Sequence, residues 1–303
     1  MASILVTGGT GLIGKKLCEL LRNKGYKVAV LSRNQHTKPN NYYWNTETHY
    51  IDSKAIVEAD YIIQLAGEGI ADKRWTTQRK KDLINSRVET ANLLFEKVKE
   101  LTPNLKGFIA ASGIGYYGAT TSEKIYEEND AAGEDFISEI CKVWEKASLQ
   151  FNTINIRTVI LRTGVVLAKE GGALEKLSQP IKLGVGAPIG SGEQYIPWIH
   201  LNDLCNMYLE AIENSEIKGI YNAVAPEHVT NKSLTKIIAK KLKKTLWLPN
   251  IPAFVMKILL GKMAVIILEG SRVSSEKILA TGFQFKYPTI EEALENLMRS
   301  SIK

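Results

Sequence analysis

Ile4-Leu5-Val6-Thr7-Gly8-Gly9-Thr10-Gly11-Leu12-Ile13-Gly14 is the stretch whose reading decides the fold. The apolar run Ile4 to Thr7 reads as a strand. Leu12 to Asn23 reads as a helix, with apolar residues at Leu12, Ile13, Leu17, Leu20 and Leu21. Between them, Gly8 and Gly11 lead to Gly14. A turn this tight calls for residues without a Cβ, and a bound diphosphate needs bare backbone amides at the positive end of the helix dipole. The spacing Gly-x-x-Gly-x-x-Gly differs from the two-and-three spacing of many dinucleotide-binding turns. In its strand-turn-helix setting it points to a nucleotide cofactor held by Gly8, Gly11, Leu12, Ile13 and Gly14, rather than to an ordinary tight turn.

Working outward, Lys27 to Leu31 reads as a second strand, and after a loop rich in Asn, Lys and Pro come strands at Tyr61 to Leu65 and Gly107 to Ala111. Helices are expected over Lys81 to Leu101 and Glu134 to Phe151, followed by a strand over Ile154 to Leu161. Strands separated by helices of this length imply a parallel sheet covered on both faces. The fold class is α/β, a Rossmann-type doubly wound sheet, with the core of the nucleotide-binding domain over residues 1–163 and room for later segments to return to it. Beyond Thr163 glycines become frequent, and helices are expected near Leu201 to Ile212, Ser233 to Leu242 and Ile290 to Met298. Residues 164–303 are therefore read as a smaller, mainly helical substrate-side lobe.

The second strand ends Leu31-Ser32-Arg33, where an acidic side chain would accept hydrogen bonds from the ribose hydroxyls of NAD. No carboxylate stands there. Arg33 instead offers a guanidinium fork suited to a 2′-phosphate, which predicts NADP(H) over NAD(H), with Ser32 beside it. A surface arginine on a loop is the other reading.

Composition narrows the function classes. The chain has 303 residues, 45% hydrophobic and 23% charged, as in soluble globular proteins. Lys and Arg number 39 against 32 Asp and Glu, a formal net charge of +7. The basic runs, Arg79-Lys80-Lys81 and Lys240 to Lys244, fall in expected helices and read as solvated faces. Their aromatics are not interleaved as a base-stacking groove requires, so no nucleic-acid partner is expected. Cys18, Cys141 and Cys205 are widely spaced and suggest neither a disulfide framework nor a zinc site. No metal is expected. The chain shows no signal-peptide pattern and is expected in the cytoplasm. From Ile251 to Leu268 the charges are Lys257 and Lys262, but Pro252 and Gly261 interrupt the run. Short helices account for it better than a spanning one, and no membrane partner is expected.

Longer motifs carry a family resemblance over nearly the whole chain. They are TGGTGLIG at 7–14, LAGEGIADKRWT at 65–76, NSRVETANLL at 85–94, ASGIGYYG at 111–118, LRTGVVL at 161–167, IGSGEQYIPWIHLNDL at 189–204 and GFQFKYPTIEEAL at 282–294. In these the chain resembles an extended short-chain dehydrogenase/reductase of the epimerase-family branch, often labelled nucleoside-diphosphate-sugar epimerase. The resemblance implies that Leu65, Ala66 and Gly67 line the cofactor and that Arg87 approaches its phosphate or ribose. Glu68, Trp198 and His200 become candidate substrate-pocket residues.

Typical members of that superfamily use a tyrosine acid/base, a lysine four residues later and a serine. Ser112 sits where the serine is expected. The tyrosine and lysine are missing from the following helix, where Cys141 and Glu145 stand at that spacing. Cys141 is a catalytic candidate with an ordinary pKa near 8.5, which a neighbouring carboxylate would raise; a packed structural cysteine is the other reading. Tyr116 or Tyr117 stands close enough to Ser112 to supply the missing acid, and Tyr116 is also a substrate-contact candidate. A literal match at Tyr50 and Lys54 precedes the proposed serine and reads as coincidence. Two functions follow: an NADP(H)-dependent oxidoreductase or epimerase acting on a small carbonyl or sugar-nucleotide-like compound, or a cofactor-binding sensor or assembly partner without turnover.

Overall fold

A computed structural model describes residues 1–34, 39–101 and 103–299. In chain order the elements begin Ser3–Thr7 (β1), Leu12–Asn23 (α1), Lys27–Ser32 (β2), Asn41–Asn45 (β3), Tyr50–Ile51 (β4), Ser53–Val57 (α2), Tyr61–Gln64 (β5), Thr77–Leu101 (α3) and Gly107–Gly113 (β6). Next come Ile125–Tyr126 (β7), Phe136–Leu149 (α4), Thr158–Thr163 (β8), Val165–Leu167 (β9), Gly172–Lys182 (α5), Trp198–His200 (β10), Leu201–Glu213 (α6) and Gly219–Ala223 (β11). Asn231–Lys241 (α7), Ala253–Leu260 (α8), Val265–Leu268 (α9), Arg272–Val273 (β12), Glu276–Leu279 (α10) and Ile290–Met298 (α11) complete the chain.

Two compact units result. The first comprises Met1–Tyr116, Glu139–Arg162 and Cys205–Tyr221; the second comprises Tyr117–Ser138, Thr163–Leu204 and the chain from Asn222 onward. The sequence places the boundary at residue 163 and leaves later segments free to return to the first domain; in the structure Glu139–Arg162 and Cys205–Tyr221 lie in the first unit. Strand pairing is the reason, since β11 adds to the edge of the sheet beside β8.

The first unit is built on an eight-stranded sheet of order β11-β8-β6-β5-β1-β2-β3-β4. β1 pairs in parallel with β2 and β5, β2 with β3 and β5 with β6, while β3 and β4 are antiparallel. Three consecutive residues of β1, Ile4, Leu5 and Val6, are buried, as a parallel strand covered on both faces requires. One face packs Leu5, Leu31, Ile62, Phe108 and Ile160 against Ile56, Leu94, Val98 and Phe151. The rings of Phe108 and Phe151 stack at 3.8 Å. The loop expected between the second strand and Tyr61 contains β3 and β4. The signal was masked because Asn-Tyr-Tyr-Trp-Asn offers aromatics in place of an aliphatic run.

β1 lies between β2 and β5, so the order of strands reverses there. Thr7 is in register with Leu31 on one side and Gln64 on the other. The segments that follow β1, β2 and β5 therefore emerge side by side, at the switch point where sheets of this type bind ligands.

In the second unit β9 pairs in parallel with β10 and β12 with β7. Its core gathers Leu167, Leu174, Ile181, Trp198, Leu234, Ile238, Ile290 and Leu294. Thr230 caps α7 through the Ser233 amide, and Thr289 with Glu292 forms a capping box on α11. Among the described residues no helix is long and apolar enough to cross a membrane.

Candidate functional site

Close packing, against backbone at Gly8 and Gly14 and against a side chain at Gly9, explains three of the four glycines after β1. Gly8 has φ +69°, and a Cβ there would lie 2.9 Å from the Leu65 carbonyl carbon. On Gly9 it would lie 2.9 Å from Val30 Cγ1, and on Gly14 it would come within 2.2 Å of the Gly8 oxygen. Gly11 is different. Its φ of −76° suits any residue, and the nearest atom to an added Cβ is the Gly8 oxygen at 3.4 Å. The fold has room for a side chain at this position.

Gly11 is also the N-cap of α1, which has neither a side-chain cap nor an acidic residue in its first turn. Helices ordinarily recruit an oxygen for these amides. Glycine here leaves the helix terminus open to an external anion, and Thr10 and Gly11 are exposed. The end of β5 is tied to the turn by Thr7, whose buried hydroxyl accepts from Leu65 N at 3.2 Å and Ala66 N at 3.1 Å. The donor set, backbone amides at a bare helix terminus, fits a diphosphate-bearing cofactor.

Arg33 directly follows Ser32 at the end of β2. Its side chain is 81% exposed, with Nη1 3.7 Å from Glu68 Oε1. Glu68 is held more closely by Arg79, at 2.8 Å, and Arg79 Nη2 also donates to the Gly69 carbonyl at 2.8 Å. The Arg79 hydrogen bond holds the Glu68 carboxyl below the usual range. Arg79 is buried, and its Nε lacks a hydrogen-bond partner. The sequence places it on a solvated helix face; its partners lie across a loop, which local charge patterning does not reveal. With Glu68 engaged by Arg79, Arg33 keeps donors for an anionic ligand.

Arg87 clamps the loop after β5. It donates to the carbonyls of Leu83 and Glu68, each at 2.8 Å, and its guanidinium lies 5.0 Å from the Trp144 ring. A Cβ on Gly67 would meet this side chain at 3.2 Å. Gly67 thus lets the clamp close on the segment that the resemblance assigns to the cofactor.

Ser112 and Cys141 come together around a buried ion pair. Ser112 Oγ donates to Glu145 Oε1 at 2.7 Å, and Arg162 grips both carboxylate oxygens through Nε at 2.8 Å and Nη2 at 2.9 Å. The Arg162 guanidinium carbon lies 3.4 Å from the centroid of the Tyr116 ring. Burial, then the Glu145 charge, pushes the Cys141 thiol up to about 12, so it keeps its proton near neutrality. Tyr116 is half-buried, whereas Ser112 and Cys141 are buried. The Tyr50–Lys54 match falls elsewhere, with Tyr50 exposed on β4 and Lys54 3.8 Å from Glu58. Arg162 carried no signal in the sequence, because its partner is 17 residues away on another element.

In the second unit Tyr117 donates to Asn222 Oδ1 at 2.7 Å. Trp198 is fully buried and donates from Nε1 to the Glu227 carbonyl. His200 is buried, stacked on Tyr287 at 3.9 Å, accepting from Asn202 N at Nδ1 and facing Asn296 Oδ1 at Nε2. Those partners select the neutral tautomer with the proton on Nε2, and burial pulls its pKa down to about 4. Asp203, in the first turn of α6, accepts the amides of Lys286 and Tyr287. Among the described residues no group of His, Cys, Asp and Glu is arranged to hold a metal ion.

Comparison with known proteins agrees with this architecture. The NAD dependent epimerase/dehydratase family model matches residues 4–223, and a domain of unknown function, DUF1731, matches residues 251–297. The chain is 33% identical over 298 residues to the mouse epimerase family protein SDR39U1, covering 97% of this chain and 99% of that one. It is 34% identical over 302 residues to epimerase family protein YfhF of Bacillus subtilis, covering 98% of each. A crystal structure of human epimerase family protein SDR39U1 (isoform 2) with NADPH is similar, with a TM-score of 0.86, 32% identity and coverage of 97% of this chain and 98% of that one.

Proposed function

Because the chain belongs to the NAD dependent epimerase/dehydratase family, we propose that it binds NADPH at the switch point of the first unit and acts on a small carbonyl or sugar-nucleotide-like compound. The observation that carries this reading is Gly11, a glycine that the fold does not require at an uncapped helix terminus. The human relative crystallised with NADPH supports the same choice of cofactor.

Gly8, Gly11, Leu12, Ile13 and Gly14 present the diphosphate-binding amides. Leu65, Ala66 and Gly67 form the opposite wall, positioned by Thr7 and Arg87. Ser32 and Arg33 receive the adenosine-side phosphate, which discriminates against NADH. When bound, the reduced nicotinamide supplies a hydride. Tyr116 is the proton donor. Its ring lies against Arg162, which is held by Glu145, the carboxylate that also accepts from Ser112.

A second reading, a cofactor-binding sensor without turnover, is favoured by one observation: the Ser112 hydroxyl and Cys141 thiol both sit inside the buried Glu145 cluster. NADPH titration followed by turnover against carbonyl compounds and sugar nucleotides separates the two. The oxidoreductase reading expects turnover that Tyr116→Phe lowers by about 10²-fold or more with NADPH affinity retained. Binding without turnover on any compound selects the sensor, and no NADPH binding defeats both.

A further inference from the structure

Eleven large apolar side chains stand out as exposed among the described residues, and six of them belong to one part of the second unit. They are Leu183 (73% exposed), Val185, Trp247 (70%), Phe254 (64%), Ile258 (70%) and Leu259. Hydrogen bonds bring their segments together. Trp247 Nε1 donates to the Gly184 carbonyl at 2.9 Å, which sets the indole beside Leu183 and Val185. Gly190 N donates to the Ile251 carbonyl and Ile251 N to the Pro188 carbonyl, each at 2.8 Å, immediately ahead of α8.

α8 itself, Ala253-Phe-Val-Met-Lys-Ile-Leu-Leu260, contains no buried residue. Phe254 and Ile258 share a helix face at i and i+4. A cluster of this size on a folded unit marks a contact surface rather than scattered exposure.

Charge identifies the occupant. Between Glu227 and Glu269 the chain carries eight lysines and no carboxylate, against a net charge of +7 for the whole protein. All eight lysines are exposed. Lys232 and Lys241 pair with Glu193 and Glu295, while others, such as Lys243 and Lys244 shortly before Trp247 and Lys257 on α8 itself, are exposed to solvent. A two-fold contact with a second copy would set this lysine field against itself. Lysine is also depleted from protein–protein contacts. Exposed Trp, Phe and Ile in a stretch rich in lysine and free of carboxylates is instead the composition that lies in the headgroup layer of an anionic bilayer.

We propose that this face of the second unit docks on an anionic lipid surface, with Trp247, Phe254 and Ile258 at the acyl boundary and the lysines among the headgroups. Such docking is peripheral and needs no spanning segment. The test uses the full chain in flotation with phosphatidylcholine vesicles and with vesicles in which roughly a third of the lipid is phosphatidylserine. Binding is expected to the phosphatidylserine vesicles, with a blue shift of Trp247 emission that W247F removes. F254S/I258S should weaken partition by about tenfold or more. K243E/K244E should weaken it by roughly fivefold per lysine, with a steep loss on added salt.

The lack of wild-type partition to phosphatidylserine vesicles overturns the proposal. So does partition that F254S/I258S leaves unchanged, which would be charge attraction alone. Self-association of the wild type by light scattering, abolished in F254S/I258S, would assign the face to a second copy and likewise overturn it. Wild-type NADPH affinity and thermal midpoint in the variants establish that they are folded.

Discussion

Replacing Gly11 by alanine separates what the fold needs from what a ligand needs. The added Cβ would meet one atom, the Gly8 oxygen at 3.4 Å, in ordinary van der Waals contact, at a φ of −76°. Restricting the unfolded chain stabilises by about 0.4–1 kcal/mol, and losing glycine at an N-cap costs a similar amount. The two offset, so the thermal midpoint should stay within about 4 °C of the wild type. The methyl group nevertheless stands at the open amides of α1, where a diphosphate must approach the backbone. NADPH affinity should fall at least about tenfold, equivalent to about 1.4 kcal/mol. Gly14→Ala is the contrasting control. Its Cβ would come within 2.2 Å of the Gly8 oxygen, and overpacking of that kind costs about 1–3 kcal/mol in stability. Isothermal titration and thermal unfolding of both variants provide the measurements. A Gly11→Ala protein that is folded and binds NADPH within twofold of the wild type would refute the argument that this glycine is there for a ligand.

Arg33→Ala should lose about tenfold or more in NADPH affinity with NADH affinity and stability unchanged, because the side chain is 81% exposed and its contact with Glu68 is 3.7 Å long; equal losses for both cofactors count against 2′-phosphate recognition. Arg162→Leu leaves the Glu145 charge buried and unpaired and should destabilise by about 3–5 kcal/mol, a cost that Arg162→Leu combined with Glu145→Leu largely recovers in denaturant unfolding. His200 has a pKa lowered from 6.5 to about 4 by burial, so the unfolded chain binds its proton more readily. Its contribution is complete above pH 6.5 and is lost as pH falls from 6.5 toward 4, by about 3 kcal/mol in all. In His200→Gln the stability-against-pH curve should flatten over that window.

The legible parts of this protein were those set by near neighbours along the chain. Gly8, through its positive φ, and Gly14, against the Gly8 oxygen, answer to a turn and a helix within a few residues, and the helix Leu12–Asn23 follows from its apolar spacing. The parallel order of the sheet follows from strands separated by helices. Arg33 could be singled out because its place at the end of β2 has a chemical meaning wherever the fold occurs. β3 was lost because Asn41–Asn45 substitutes aromatic for aliphatic residues.

What eluded the sequence depends on partners that the chain brings together only when folded. Arg79 reads as one of three basic residues in a row, and packing alone turns it inward onto Glu68. Glu145 looked like a neighbour of Cys141, until the return of β8 supplied Arg162 as its counter-ion. The run from Ile251 to Leu268 is apolar in either setting, and whether it is buried is decided by which surfaces of the second unit are left to cover it. Sequence alone determined the parallel centre of the sheet and the turn after β1, because backbone sterics and periodicity act over a few residues. Tertiary structure decided which charges are paired and which apolar faces meet water, because desolvation depends on every element packed around a group.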